Sequence, residues 1–152
     1  MVQRPGDLLE AHATGTVRAS LIERNRDWGL GVTGAEATVE TTLVRNTLPR
    51  DYDGGFGDGI ALTTLWFGSN NTFPARLDLT GVQIETSARA GVGNFSGHVS
   101  LANSKVACNA IDLACELLEE NLAWQFEDLG GNDCSCGDET TQCKVLTNGI
   151  AP

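Results

Sequence analysis

Lys105-Val-Ala-Cys108-Asn-Ala-Ile111-Asp112-Leu-Ala-Cys115-Glu116-Leu-Leu118-Glu119-Glu120-Asn-Leu122-Ala-Trp-Gln-Phe126-Glu-Asp128 is the segment on which the fold class turns. Cys108, Ile111, Cys115, Leu118, Leu122, Phe126 and Leu129 recur at steps of three and four, the spacing of one apolar helical stripe. Asp112, Glu116, Glu119 and Glu120 take the other side. Asn103 or Ser104 stands where an N-cap belongs, and Gly130-Gly131 follows where a helix would close. Carboxylates in the later turns oppose the helix macrodipole, so a helix here needs a sheet to pack on. The expectation is one α-helix at about 105–128, docked on a β core.

Upstream the apolar period is two. Val17, Ala19 and Leu21 face one way and Arg18 and Ser20 the other; Ala37, Val39, Thr41 and Leu43 alternate against Glu36, Thr38, Glu40 and Thr42. Ile60 to Phe67 is apolar on both faces, as in a central strand. Arg76 to Ser87 reads as one long strand whose register shifts by a residue at Gly81, the mark of a β-bulge. Phe95, Gly97, Val99 and Leu101 form a fifth alternation. Half-wet strands of this kind suit an antiparallel sheet. The expected architecture is mainly β: an antiparallel β-sandwich or barrel with one packed helix and a cysteine-bearing tail. It is read as a single domain over residues 1–152, with a β core at about 13–102, the helix at 104–129 and the tail at 130–152. No internal repeat is apparent on this reading.

Five cysteines lie in the last 45 residues and none before them. Cys108 and Cys115 would sit two helical turns apart, about 10.5 Å along the axis, beyond the reach of a mutual disulfide. Each could instead meet Cys134, Cys136 or Cys143 in the tail, giving two bridges and one unpaired thiol. Reduced buried thiols and a four-thiolate zinc site remain open alternatives.

With 152 residues and 41% hydrophobic content the chain can bury a core. A net charge of −10 disfavours a nucleic-acid partner. No apolar run reaches the roughly 18 residues of a membrane span, and the opening residues lack the apolar region of a secretory leader.

Asp51, Asp53 and Asp58 punctuate a glycine-rich loop and suggest a calcium site, although the spacing departs from the EF-hand. Asn70-Asn-Thr72 and Asn94-Phe-Ser96 match the glycosylation acceptor pattern, a match short enough to arise by chance. His12 and His98 complete no triad or metal site. Glu23 to Gly34 and Asn46 to Gly59 read as long loops, where Trp28, Tyr52 and Phe56 are the expected subunit-contact anchors.

No catalytic motif emerges. The functional expectation is a non-catalytic structural subunit of a self-assembling particle, such as a tail-tube, capsid-decorating or other virion protein. Its partners would be copies of itself and other particle proteins, and its ends would be held by neighbours. The alternative is a secreted carbohydrate- or surface-binding β-sandwich module stabilised by calcium and disulfides.

Overall fold

The computed structural model describes residues 7–9, 11–68 and 71–147, with side chains from residue 11 onward. The chain ends, on which the expectation of neighbour-held termini rested, lie outside the described residues, as does Asn70.

The chain winds into a stack of coils, each made of three short strands separated by corners. After β1 (Asp7–Leu9), the first full coil comprises β2 (Thr14–Arg18), β3 (Leu21–Glu23) and β4 (Trp28–Thr33). The second comprises β5 (Glu36–Glu40), β6 (Leu43–Arg45) and β7 (Asp58–Thr63). A hairpin, β8 (Leu65–Trp66) and β9 (Thr72–Phe73), then projects from the stack. The third coil is β10 (Arg76–Thr80), β11 (Gln83–Glu85) and β12 (Ala90–Phe95). The fourth is β13 (His98–Ala102), β14 (Lys105–Ala107) and β15 (Ile111–Glu116). The last contributes β16 (Gln125–Asp128), a bridge from Asp133 to Lys105, and β17 (Val145–Leu146).

Equivalent strands of successive coils pair in parallel and in register. They form a six-stranded sheet (β1-β4-β7-β12-β15-β17), a five-stranded sheet (β16-β13-β10-β5-β2) and a four-stranded sheet (β14-β11-β6-β3). The hairpin is the antiparallel pair among the described strands. This is a parallel β-helix.

Parallel register stacks like side chains into columns running up the interior. Val17, Val39, Leu79 and Leu101 share one register position, and Ile22, Val44, Ile84 and Val106 another. Leu30, Ile60, Val92 and Leu113 form a third column, continued by Val145. Nearly all are fully buried and belong to one continuous core. Outside, charges alternate along the columns: Glu23, Arg45 and Glu85 follow one another, and Arg18 lies beside Glu40 at 2.5 Å. Stacked like charges would repel, so alternation suits this topology.

Corners between the five- and four-stranded sheets need one residue in the left-handed region. Ala19, Thr41, Gly81 and Asn103 fill it, with φ of 47°, 48°, 61° and 48°. Each amide reaches the next coil, as in Thr41 N–H to Thr80 O at 3.0 Å and Asn103 N–H to Gly130 O at 2.9 Å. The residue after each corner is Ser20, Thr42, Val82 or Ser104. Polar members of this row bond between coils: Thr42 Oγ1 accepts from Ser20 N and Ser104 Oγ from Val82 N.

Several expectations are corrected by this architecture. The antiparallel sandwich is replaced by parallel sheets, and the helix at 105–128 is absent; there is no helix among the described residues. The helical spacing in that segment is the imprint of corners. Val106 faces inward from β14, the chain turns at Cys108 (φ 60°), Leu113 and Cys115 face inward from β15, and Phe126 packs from β16. Short strands broken every few residues scatter apolar positions at threes and fours without any helix. The shift at Gly81 is a corner between β10 and β11, where a bulge was expected. Half of the expected loop from Glu23 to Gly34 is strand β4. A repeat is present after all: register pairs Thr14 with Glu36 and Leu21 with Leu43, a 22-residue step. It recurs from Arg76 to His98, but the 46–57 loop and the hairpin interrupt it between the second and third coils.

Gly29, Gly59 and Gly91 occupy neighbouring coils where the six-stranded sheet presses on the Ile22–Val106 column. A Cβ on Gly59 would lie 2.7 Å from Gly91 O and 2.6 Å from Ile84 Cγ2. Backbone cannot yield as a flexible side chain can. Gly59→Ala is expected to destabilise the protein by about 1–3 kcal/mol through overpacking, checked by chemical denaturation; an unchanged midpoint would contradict the close coil contact.

Candidate functional site

Three features depart from the bare coil stack: the 46–57 loop, the hairpin and the C-terminal tail.

The 46–57 loop folds back over the outer face of the six-stranded sheet. That face is lined by Gly31, Ala61, Gly93 and Ala114, small residues that leave room for a cover. Leu48 N donates to Asn25 O, and the amides of Gly57 and Asp58 both donate to Asp27 O. Phe56 is the loop's anchor. Its ring meets Phe95 edge-on at 6.4 Å, with the Arg50 guanidinium 4.4 Å and the Arg89 guanidinium 5.1 Å from its centre.

Each acid of the expected calcium loop has an arginine. Asp51 pairs with Arg26 at 2.7 Å, Asp53 with Arg50 at 2.7 Å, and Asp58, fully buried, takes both Nε and an Nη of Arg89. Burial pushes the Asp58 carboxyl up, against the pull of Arg89 and of the Ala90 amide. Asp27 is also buried, and desolvation raises its carboxyl above the ordinary range despite Arg50 at 3.9 Å. Its Oδ1 makes no hydrogen bond. Among the described residues no group of three or more histidine, cysteine or acidic side chains is arranged to hold a metal ion. The arrangement is an ion-pair latch that ties the loop down. Sequence reasoning saw the acids but not the arginines: Arg50 lies in the loop itself, three residues before Asp53, while Arg26 and Arg89 arrive from 25 and 31 residues away in the neighbouring coils.

Of the aromatic anchors, Phe56 is spent inside this latch and Trp28 lies half-buried at the start of β4. Tyr52 is 73% exposed at the loop tip, 5.1 Å from Arg50. Asn94 of the second acceptor pattern is an interior residue. Its amide donates to Gly97 O and Gln125 O and accepts from Gly97 N, so it is closed to glycosylation in the folded chain.

The cysteines of the tail continue the coil logic. Register carries Lys105 to Asp133, hence Val106 to Cys134 and Cys108 to Cys136. Cys108 and Cys136 form a disulfide between the fourth coil and the fifth, Cα to Cα 4.7 Å, the ordinary spacing of paired strands. Cys134 and Cys143 form the second, and both half-cystines pack on the end of the core. Asp133 orders the turn between them, accepting from Ser135 N, Ser135 Oγ and Thr141 N. These bonds hold its carboxyl well below the usual range. Two bridges with one cysteine left over was the disulfide expectation, but Cys115 is the odd thiol and bridges nothing. It points into the core, where burial, supported by the Glu116 charge, pushes it up to about 12.

The hairpin walls an open cleft. It replaces the tight corner that Gly34 and Ser96 make elsewhere with β8 and β9, and it bears Trp66, Phe67 and Phe73. Phe67 is 65% exposed and meets Phe73 edge-on at 6.1 Å; Phe73 meets the His12 ring at 4.5 Å. Phe73 lines a cleft of about 380 Å³ together with His12, Ala13, Thr14, Gly34, Ala35, Glu36, Thr72 and Pro74. The sequence showed Ile60–Phe67 as one strand; the structure ends β7 at Thr63, where Thr64 Oγ1 donates to Ser96 O and accepts from Ala75 N, stapling the hairpin's base. The exposed pair Trp66-Phe67 was the signal available, and its reading as buried strand concealed it.

No family model matches the chain, and no curated protein does. Among solved structures, the crystal structure of pectate lyase Pel9A is similar at a TM-score of 0.52 and 14% identity, over 92% of this chain and 34% of that one. The chain thus spans about a third of that protein's length. At this identity the likeness shows a shared parallel β-helix fold.

Two outcomes test the site geometry. Arg89→Ala leaves the buried Asp58 without its partner and is expected to cost about 3–5 kcal/mol, measured by denaturant unfolding; a cost below 1 kcal/mol would mean Asp58 is not enclosed. Replacing Cys108 and Cys136 together by serine is expected to cost about 3 kcal/mol and to open the tail after Gly131 to protease. Cys115→Ser is expected to leave that tail as resistant as before.

Proposed function

We propose that this chain is an extracellular β-helix module that binds a glycan in the hairpin cleft. The observation that carries the reading is the cleft itself: half-buried Phe73, with exposed Phe67 edge-on beside it, shares the lining with the hydroxyl and carboxylate residues Thr14, Thr72 and Glu36. Sugars offer apolar ring faces for stacking and hydroxyls for hydrogen bonding. A pocket that pairs an aromatic body with a few convergent polar groups suits both. Its volume lies in the range of small-ligand sites.

Two further observations support the reading. Paired cysteines at strand spacing favour an oxidising compartment. The similar fold belongs to a protein named for action on pectate, a glycan, which is an analogy of fold. Binding without cleavage is the proposed role, because Glu36 is the one carboxylate among the cleft's described lining residues. Hydrolysis of a glycosidic bond ordinarily needs a second carboxyl group across the bond.

The particle-subunit expectation drew on a sandwich bearing a docked helix, which the β-helix replaces, on two long loops, and on held termini, which lie outside the described residues. No observation on the described residues now favours it over glycan binding.

Phe73→Ala is expected to weaken glycan binding at least tenfold, about the loss of one aromatic stacking contact, by titration calorimetry against an oligosaccharide panel. Tyr52→Ala, remote from the cleft, is expected to leave binding unchanged. Equal affinity for Phe73→Ala and the unaltered protein would overturn the assignment.

A further inference from the structure

Below the cleft the five-stranded sheet presents a flat outer face whose side chains stand in register. One column runs Thr14, Glu36, Arg76, His98 and Gln125, the first two being cleft residues. At a strand spacing of about 4.8 Å, five strands span about 19 Å, the length of several sugar rings. The column is polar throughout and is held in place by the column beside it. Arg76 donates through Nε and Nη2 to Asp78 at 3.1 and 2.9 Å, and Ser100 Oγ donates to Asp78 at 2.5 Å. His98 Nδ1 lies 3.3 Å from Arg76 Nη1, and its Nε2 is 3.5 Å from Glu127 without the alignment of a hydrogen bond. Arg76 is therefore a fixed planar donor with N–H groups left over, on a face already ordered before any ligand arrives. Groups held in this way bind with less loss of side-chain freedom.

The charge on this face selects among ligands. Arg18 and Arg76 stand against Glu36, Glu40, Asp78 and Glu127, and the whole chain carries −10. A polyanion would be repelled along its length, whereas hydroxyls can both donate to the carboxylates and accept from Arg76.

Resting on the glycan reading above, we infer that the ligand is a neutral, hydroxyl-rich glycan chain that starts in the hairpin cleft and extends along the Glu36–Arg76–His98–Gln125 column. It lies across the strands of the five-stranded sheet, on a face different from the loop-covered one.

Calorimetry with cellohexaose, xylohexaose and mannohexaose, their disaccharides, and hexagalacturonate tests this. A neutral hexasaccharide is expected to bind at least tenfold more tightly than its disaccharide, and hexagalacturonate more weakly than either. Arg76→Ala is expected to cost the hexasaccharide about tenfold and the disaccharide nothing. Gln125→Ala, whose side chain is exposed and supports no fold contact, is expected to reduce hexasaccharide affinity severalfold. Tighter binding of hexagalacturonate, or affinity independent of length and of both variants while Phe73→Ala still abolishes it, would overturn the extended neutral site and leave the cleft. Binding of no panel member would overturn the cleft reading itself.

Discussion

In-register parallel stacking is the constraint from which the rest of the structure follows. Once coil n pairs with coil n+1 residue for residue, each inward side chain must pack on its own equivalents above and below. Ile22, Val44, Ile84 and Val106 do so along one column, and Leu30, Ile60, Val92 and Leu113 along another. The same rule governs the exterior, where Glu23, Arg45 and Glu85 alternate in sign. It governs the corners too, since each must place a residue at positive φ in the same position of the coil. Ala19 and Thr41 accept that conformation at a cost that glycine and asparagine avoid, and the inter-coil hydrogen bonds of their amides offset it.

Both disulfides express this constraint at the end of the stack. A β-helix exposes its core where the coils stop, and here Cys134 takes the position that valine or isoleucine holds in the preceding coils. Its bridge to Cys143 turns a polar tail into a lid on the core, while Cys108–Cys136 fixes that lid to the fourth coil. Departures from the repeat are confined to corners, where extra chain does not disturb the stack. One such insertion, the 46–57 loop, is latched by arginine–aspartate pairs. The other is the hairpin, whose aromatics face outward beside an open cleft. An insertion tied down by ion pairs covers the sheet; one that holds aromatic rings at the rim of a cavity has something to offer a ligand.

Much of this was written in the sequence, though in a form that period counting misreads. Val17-x-x-Ser20-x-Ile22, Val39-x-x-Thr42-x-Val44, Leu79-x-x-Val82-x-Ile84 and Leu101-x-x-Ser104-x-Val106 are one motif repeated four times. Period-two alternation is visible in these residues, but it reads straight through the corners at Ala19 and Thr41, and the phase change shows only at Gly81, where it resembles a local bulge. Two insertions broke the 22-residue step, so the repeat escaped notice, and without it antiparallel pairing was the natural default. The 105–128 segment was misread because a turn every five or six residues imitates helical spacing. Site residues were less legible still. Arg89 and Asp58 are brought together only by stacking, and Phe73 meets His12 across an insertion whose end could not be placed from pattern alone.

The most direct test of in-register stacking is nuclear Overhauser contact in isotope-labelled protein. Methyl contacts linking Ile22 to Val44 and Ile84 to Val106, with no successive amide i to i+3 contacts across Cys108–Phe126, are the predicted result. A run of helical contacts through that segment, or antiparallel cross-strand contacts between β10 and β13, would contradict it.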